Sequence, residues 1–224
     1  MLFRSHVSTQ GGVALGPARG NAIGATAIQV FTKTPNQWRE PVVRDADIAA
    51  FRSSFAASGI RAVVSHDSYL INLASPDQAL RAKSIRAFTA ELERCRALGV
   101  PWVVSHPGNY IDDRTDGLAR NARAYAECLA AVPGEVGLLI EGTAGAGTAL
   151  GSTFEELRAL RDALPAGAQA RVGFCLDTAH LHAAGYDVAT ALEQVWERFE
   201  REVGLTHLKC LHLNDSKGDR KSVV

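Results

Sequence analysis

Short apolar runs alternate with longer amphipathic stretches along the whole chain, and five of the runs end in a polar residue of metal-ligand type. Arg61-Ala62-Val63-Val64-Ser65 runs into His66, and Pro101-Trp102-Val103-Val104-Ser105 into His106. Val136-Gly137-Leu138-Leu139-Ile140 runs into Glu141, Gly173-Phe174-Cys175-Leu176 into Asp177, and Leu208-Lys209-Cys210-Leu211 into His212. Successive ends lie 40, 35, 36 and 35 residues apart, which is the length of one strand, one helix and two loops. That period predicts repeated βα units around a parallel sheet.

The intervening segments agree. Leu2 to Val7 reads as a first strand and Val13 to Ile23 as a helix stopped by Gly24; Thr26 to Phe31 reads as a second strand. Asp45 is placed to cap a helix ending near Ser58, with Gly59 as its stop. From about Pro76 to Leu98, Ile85, Phe88, Leu92, Cys95 and Leu98 recur at helical spacing before Gly99. Further helices are predicted from about Asp116 to Ala131, after the Ser152/Glu155 pair with capping-box spacing, and after Asp187, where Leu192, Val195, Trp196, Phe199 and Val203 form a stripe. Thr206 to Leu213 is the last strand. Seven strand–helix alternations predict an α/β fold, an incomplete (β/α)8 TIM-type barrel with about seven βα units, since a full barrel at this period needs on the order of 280 residues. No linker or composition shift breaks residues 1–224, so they read as a single barrel domain. A barrel one unit short is expected to leave its first and seventh strands with unpaired edges.

Composition changes this picture little. Lys+Arg and Asp+Glu are 24 each, for zero net charge, so no basic field marks the chain as nucleic-acid binding, although bound divalent cations would add positive charge locally. Cys95, Cys128, Cys175 and Cys210 form no CxxC pair and read as buried, reduced thiols of a cytoplasmic protein. No signal peptide and no apolar run of membrane-spanning length is visible.

The strand ends carry the chemistry. In parallel α/β folds the carboxyl ends of the strands share one face, where active sites lie. A lone polar residue there is a cap, but His66, His106, Glu141, Asp177 and His212 in phase point to a site for a cation such as Zn²⁺. Strand parity puts Val64, Leu139, Cys175 and Cys210 on the same interior face, one step below their ligands. Asp177-Thr178-Ala179-His180 adds His180 from the following loop. His182 reads as a loop or helix-start residue, and His207, out of phase with His212, faces a helix. His6, at the end of the first strand, is placed to touch substrate. The Gly142-to-Gly147 loop gives the backbone room to turn beside the cations.

Three stretches add specificity: His66-Asp67-Ser68-Tyr69-Leu70-Ile71-Asn72-Leu73-Ala74, Asp177-Thr178-Ala179-His180, and His212-Leu213-Asn214-Asp215-Ser216-Lys217. With His6-Val7-Ser8 and Gly11-Gly12 they make the chain similar, over nearly its whole length, to the endonuclease IV family of zinc-dependent apurinic/apyrimidinic endonucleases, in the xylose-isomerase-like barrel superfamily. The resemblance implies a DNA-repair deoxyribonuclease that uses up to three zinc ions to hydrolyse the phosphodiester 5′ to an abasic site in double-stranded DNA, acting as a monomer. It assigns His66 and His106 to one metal, Glu141 as bridge to a second, Asp177 and His212 to that second metal, and His180 to a third. Glu141, His106 and Asp177 would be catalytic, and Tyr69, Leu70, Asn36 and His6 would contact DNA.

The chain also departs from the family. Asn36 stands where the family has an intercalating arginine, Gly142 where it has asparagine, and Ala179 where it has cysteine. The family's later Asp-x-His pair and late glutamate have no counterpart, Asp219 being the only acid nearby. The chain thus reads as a truncated member lacking the last helix–strand–helix, with the second and third metal sites incomplete. A metal-dependent sugar isomerase or epimerase on the same barrel, and a lesion-binding fragment without cleavage, are the alternative readings.

Overall fold

The computed structural model describes residues 2–3 and 5–215. The first strand comes as two pieces, β1 (Leu2–Phe3) and β2 (Ser5–His6). After them come α1 (Leu15–Ala22), β3 (Ala27–Val30), α2 (Asp45–Ala57), β4 (Ala62–His66), α3 (Gln78–Leu98), β5 (Trp102–Ser105) and α4 (Arg114–Ala131). The remainder is β6 (Gly137–Glu141), α5 (Phe154–Asp162), α6 (Ala166–Gln169), β7 (Val172–Asp177), α7 (Thr178–Ala183), α8 (Leu192–Glu202), a single 3₁₀ turn at Leu205–His207, and β8 (Leu208–His212). All the strands pair in parallel, in the order β1-β8-β7-β6-β5-β4-β3-β2. With β1 and β2 counted as one strand position, this is the seven-strand, incomplete TIM-type barrel read from the sequence.

One expectation is overturned. The two ends of the strand order are consecutive in sequence. Leu2 and Phe3 lie opposite Cys210 and Leu211 of β8, and Ser5 and His6 opposite Ile28 and Gln29 of β3. The N-terminal stretch divides its backbone pairing between both neighbours, so neither the first nor the last strand is left with a bare edge. Unpaired edge groups are costly when shielded from water, and each of these ladders is two residues long.

Alternate residues on each strand serve two packing layers. Val63, Val103, Leu138, Ile140, Phe174, Leu176 and Leu211 join Phe88, Leu92, Tyr125, Leu129, Leu157 and Phe199 in the main core, as does Leu208, which lies before the register shift between β7 and β8. The opposite parity, Val64, Val104, Leu139, Cys175 and Cys210, forms a separate buried cluster with Trp102 against it. These are the interior residues expected one step below the strand-end ligands. Gly137 is required at the foot of β6: a Cβ there would run into the Trp102 ring and lie 2.6 Å from the Arg171 carbonyl oxygen.

The helix starts differ from the sequence reading by a few residues, because capping is decided by local geometry. Asp77 caps α3 by accepting from the amides of Ala79 and Leu80 at 2.8 and 3.2 Å, and Gly99, at φ +80°, ends it. Asp45 is the first helical residue of α2 rather than its cap; Arg44 takes that place, paired with Asp47. Thr153, not Ser152, caps α5. Asp187 accepts from the Thr190 amide in a turn well before α8. The segment after Asp177 is helical (α7) instead of a loop. Among the described residues no helix is long and apolar enough to cross a membrane.

Candidate metal centre

Four of the predicted ligands are the last residues of their strands: His66 of β4, Glu141 of β6, Asp177 of β7 and His212 of β8. His106 follows β5 directly and His180 lies in the first turn of α7. The parallel sheet thus delivers all six to one end of the barrel. Glu141 is at their centre. Its Oε2 lies 3.2 Å from His66 Nε2 and 3.3 Å from His106 Nε2. Its Oε1 lies 3.0 Å from His212 Nδ1 and 3.4 Å from His180 Nδ1. One carboxylate therefore presents one oxygen to each of two imidazole pairs, and Asp177 Oδ2 stands 3.7 Å from His212 Nδ1 on the second side. The donor atoms of His66, His106 and Glu141 all lie within 4.8 Å of one another, as do those of Glu141, Asp177 and His180. Two donor groups share Glu141, but the second holds His180 where the resemblance puts His212 and reserves His180 for a third metal.

The hydrogen bonds around these groups suit a cation. His66 Nδ1 lies 2.9 Å from the Asp67 carbonyl oxygen, which can only accept, so Nδ1 carries a proton. The Nε2 lone pair of a neutral His66 then faces a carboxylate oxygen, an acceptor against an acceptor. A cation between them, or a second proton on the ring, resolves that opposition. His180 Nδ1, the nitrogen nearer Glu141, likewise donates to the Gly142 carbonyl at 2.9 Å, so the lone pair of the neutral ring is on Nε2. The Nε2 atom of His106 is buried against Glu141 Oε2 at 3.3 Å, and His212 turns Nδ1 to Glu141 and Asp177. Buried donor-poor nitrogens beside carboxylates fit a Zn²⁺-type ion.

The electrostatics carry the same message. Burial alone would push the Glu141 carboxyl up, but the His212 and His106 imidazoles and hydrogen bonds from His106 and His180 hold it well below the usual range. Burial pulls the His66 imidazole down, yet its bonds to Asp67 and Glu141 raise it to about 9. His212, also opposed by burial, is raised to about 11 by Glu141 and Asp177. Glu141, His66, Asp177 and His212 are all under 5% exposed, so these charges are felt at low dielectric.

A surrounding layer fixes the ligands. Asp67 stands 3.4 Å from His66 Nδ1 and accepts at 2.6 Å from Ser105, which accepts at 3.1 Å from Tyr125. Asp177 Oδ1 caps α7 by accepting from Ala179 and His180, and Oδ2 accepts from Asn214 Nδ2 at 2.5 Å. The roles of Asp67, Ser105 and Tyr125 went unread in the sequence; only the adjacency of Asp67 to His66 could have signalled them.

The hollow over the centre, about 810 Å³, is bounded by Ser5, His6, Gln29, Tyr69, Leu213 and Asn214 together with the ligands. Tyr69 is half exposed, its ring centroid 5.4 Å from His66 and 6.5 Å from His106. The exposed His6 packs edge-on against Phe31 at 5.0 Å. Leu70 and Asn36 line no part of this hollow; Leu70 is partly buried and Asn36 exposed. A second, broader groove shares His6 and runs between the loops after β2 and β3, past Lys33, Arg39 and Arg44. His182 is exposed on α7, and His207 lies in the 3₁₀ turn below β8 with its pKa lowered by burial and by Arg161 and Lys209; neither joins a ligand group. Ser216, Lys217 and Asp219 lie outside the described residues.

The comparisons agree with this geometry. Residues 17–224 match the family described as a xylose isomerase-like TIM barrel. A probable endonuclease 4 of Chloroflexus aurantiacus is 45% identical, covering 99% of this chain and 79% of the relative. One from Geobacter sulfurreducens is 43% identical over 98% and 75%. The crystal structure of endonuclease IV from Thermus thermophilus superposes with a TM-score of 0.85 at 36% identity, covering 99% of this chain and 80% of that one. A D-psicose 3-epimerase shares the fold at a TM-score of 0.69 and 17% identity. With a family model matching residues 17–224 and two endonuclease 4 relatives above 40% identity, the chain belongs to the endonuclease IV family of xylose isomerase-like barrels.

Proposed function

We propose that this chain is a metal-dependent DNA-repair endonuclease that hydrolyses the phosphodiester 5′ to an abasic site in double-stranded DNA. The observation that carries the reading is Glu141 set between two imidazole pairs, His66 with His106 and His180 with His212. Zinc held there would supply Lewis acidity for a phosphodiester oxygen and for the attacking water. The chain's own residues do the rest. Glu141 would be shared between two ions, with His66 and His106 holding one side and Asp177, His180 and His212 holding the other. Asp67 and Gly142 fix the His66 and His180 tautomers so that each ring keeps its lone pair on Nε2. Tyr69, half exposed above His66 and His106, is placed to stack where a base or sugar would leave the duplex. His6 bounds the other rim; Leu70 and Asn36 would contact the duplex farther from the centre. The groove beside His6 gives the DNA backbone a path near Lys33, Arg39 and Arg44.

The test is incubation of zinc-loaded protein with a duplex carrying one abasic site. A single nick 5′ to the site, abolished by a chelator and by Glu141→Ala, is expected. Tight binding of that duplex with no nick at saturating zinc would favour the lesion-binding reading, and turnover of a ketose in place of DNA would favour the sugar epimerase. The gathering of His66, His106 and His180 on one carboxylate favours the nuclease, because a single-metal sugar site needs only Glu141, Asp177 and His212 from this set.

A further inference from the structure

One ligand group falls outside the two that share Glu141. The sulfurs of Cys175 and Cys210 and a ring nitrogen of His212 lie within 4.8 Å of one another. The placement follows from register. Cys175 of β7 and Cys210 of β8 are direct partners on adjacent parallel strands, and Asp177 and His212 are the next in-phase pair above them. Both thiols point into the barrel and are fully buried, and neither is in a disulfide. His212 uses Nδ1 toward Glu141, and its Nε2 is buried without a hydrogen bond.

We propose that Cys175, Cys210 and His212 form a distinct site for a thiophilic divalent cation, one layer beneath the carboxylate-bridged centre. Two thiolates and one imidazole are a soft donor set, unlike the imidazole and carboxylate ligands above it. The apolar residues beside the thiols are Val64, Val104 and Leu139, and the buried amide of Gln29 lies opposite Val64; none of them carries a charge. A divalent ion with two thiolates is neutral overall, which is the charge state an apolar layer tolerates. On binding, each thiol gives its proton to solvent, the sulfur lone pairs form the metal bonds, and nothing is oxidised or reduced. The site shares the His212 ring, which faces Glu141 through Nδ1, with the centre above, so occupation of one site is coupled to the other. The inference rests on the placement of these three side chains and is independent of the nuclease reading.

The test is titration of the metal-free protein with Cd²⁺ alone, followed by the ultraviolet thiolate-to-cadmium charge-transfer absorption. The site predicts a saturable band reaching its plateau at the equivalence expected for one thiolate-bound ion per chain. The band is lost in Cys175→Ala and in Cys210→Ala but kept in Cys128→Ala, with circular dichroism showing that each variant is folded. Absence of the band from the folded wild-type protein would overturn the proposal whatever the variants do. So would its survival in both Cys175→Ala and Cys210→Ala.

Discussion

Glu141 meets four imidazoles while 1% exposed, an arrangement that without a cation must hold protons on histidine rings to remain neutral enough to bury. This gives a pH dependence with a definite sign. In the metal-free protein His66 is raised to about 9 and His212 to about 11, above the ordinary 6.5. A raised folded-state pKa contributes stability that is fully present below 6.5 and is lost as pH rises through the folded value. Zinc replaces those protons, so the increase in Tm on adding zinc should grow as pH rises from near 6.5 toward about 9, which paired thermal melts would check. Asp67 orients His66 without joining a ligand group. Asp67→Asn should weaken zinc binding by about 10- to 100-fold with little change in secondary structure, read by competition with a chromophoric chelator. His182→Ala, on an exposed ring outside the site, should leave zinc stoichiometry unchanged in the same assay. Five of the six candidate ligands were legible because strand ends with a period near 35 residues are written in the sequence, and His180 was read from the stretch that follows Asp177. The Ser105–Tyr125 support and the Cys175–Cys210–His212 group were harder to read, because they depend on which strands lie side by side.

At the level of elements, strands read more easily than helix starts. An apolar run closed by a polar residue is decided by which face is buried, and β4 to β8 follow that rule. A cap is decided by one side chain reaching one amide, so Thr153 replaced Ser152 and Arg44 replaced Asp45, while Asp187 closes a turn ahead of α8, whose first residues follow Ala191 without a side-chain cap. The helix α7 was hidden because Asp177 serves twice, as ligand and as cap. Asp177→Ala should therefore lose zinc and also destabilise the metal-free fold by about 1 kcal/mol, the usual cost of a lost N-cap, measured by urea unfolding in chelator. The pairing of Leu2–Phe3 with β8 belongs to this scale too. A chain beginning at Ser5 should show faster hydrogen exchange for the amides of residues 208–212 than the full chain, with β5 and β6 unaffected. Equal protection in both chains would mean that the β1 ladder contributes nothing to β8.

The whole molecule is a parallel barrel that carries ligands from five separate βα units to one end, with an apolar layer beneath them and an open rim above. Zero net charge then matters less than the local positive charge that bound cations would bring to an otherwise neutral surface. The account stands or falls on Glu141 joining two metal ions, and the direct measurement is a crystal structure of the zinc-loaded protein with anomalous data at the zinc edge. It should show two peaks, one on each side of the Glu141 carboxylate and about 3.5 to 4 Å apart. One would be held by His66 and His106, the other on the side of Asp177, His180 and His212. A single peak, or peaks that do not share Glu141, would contradict it.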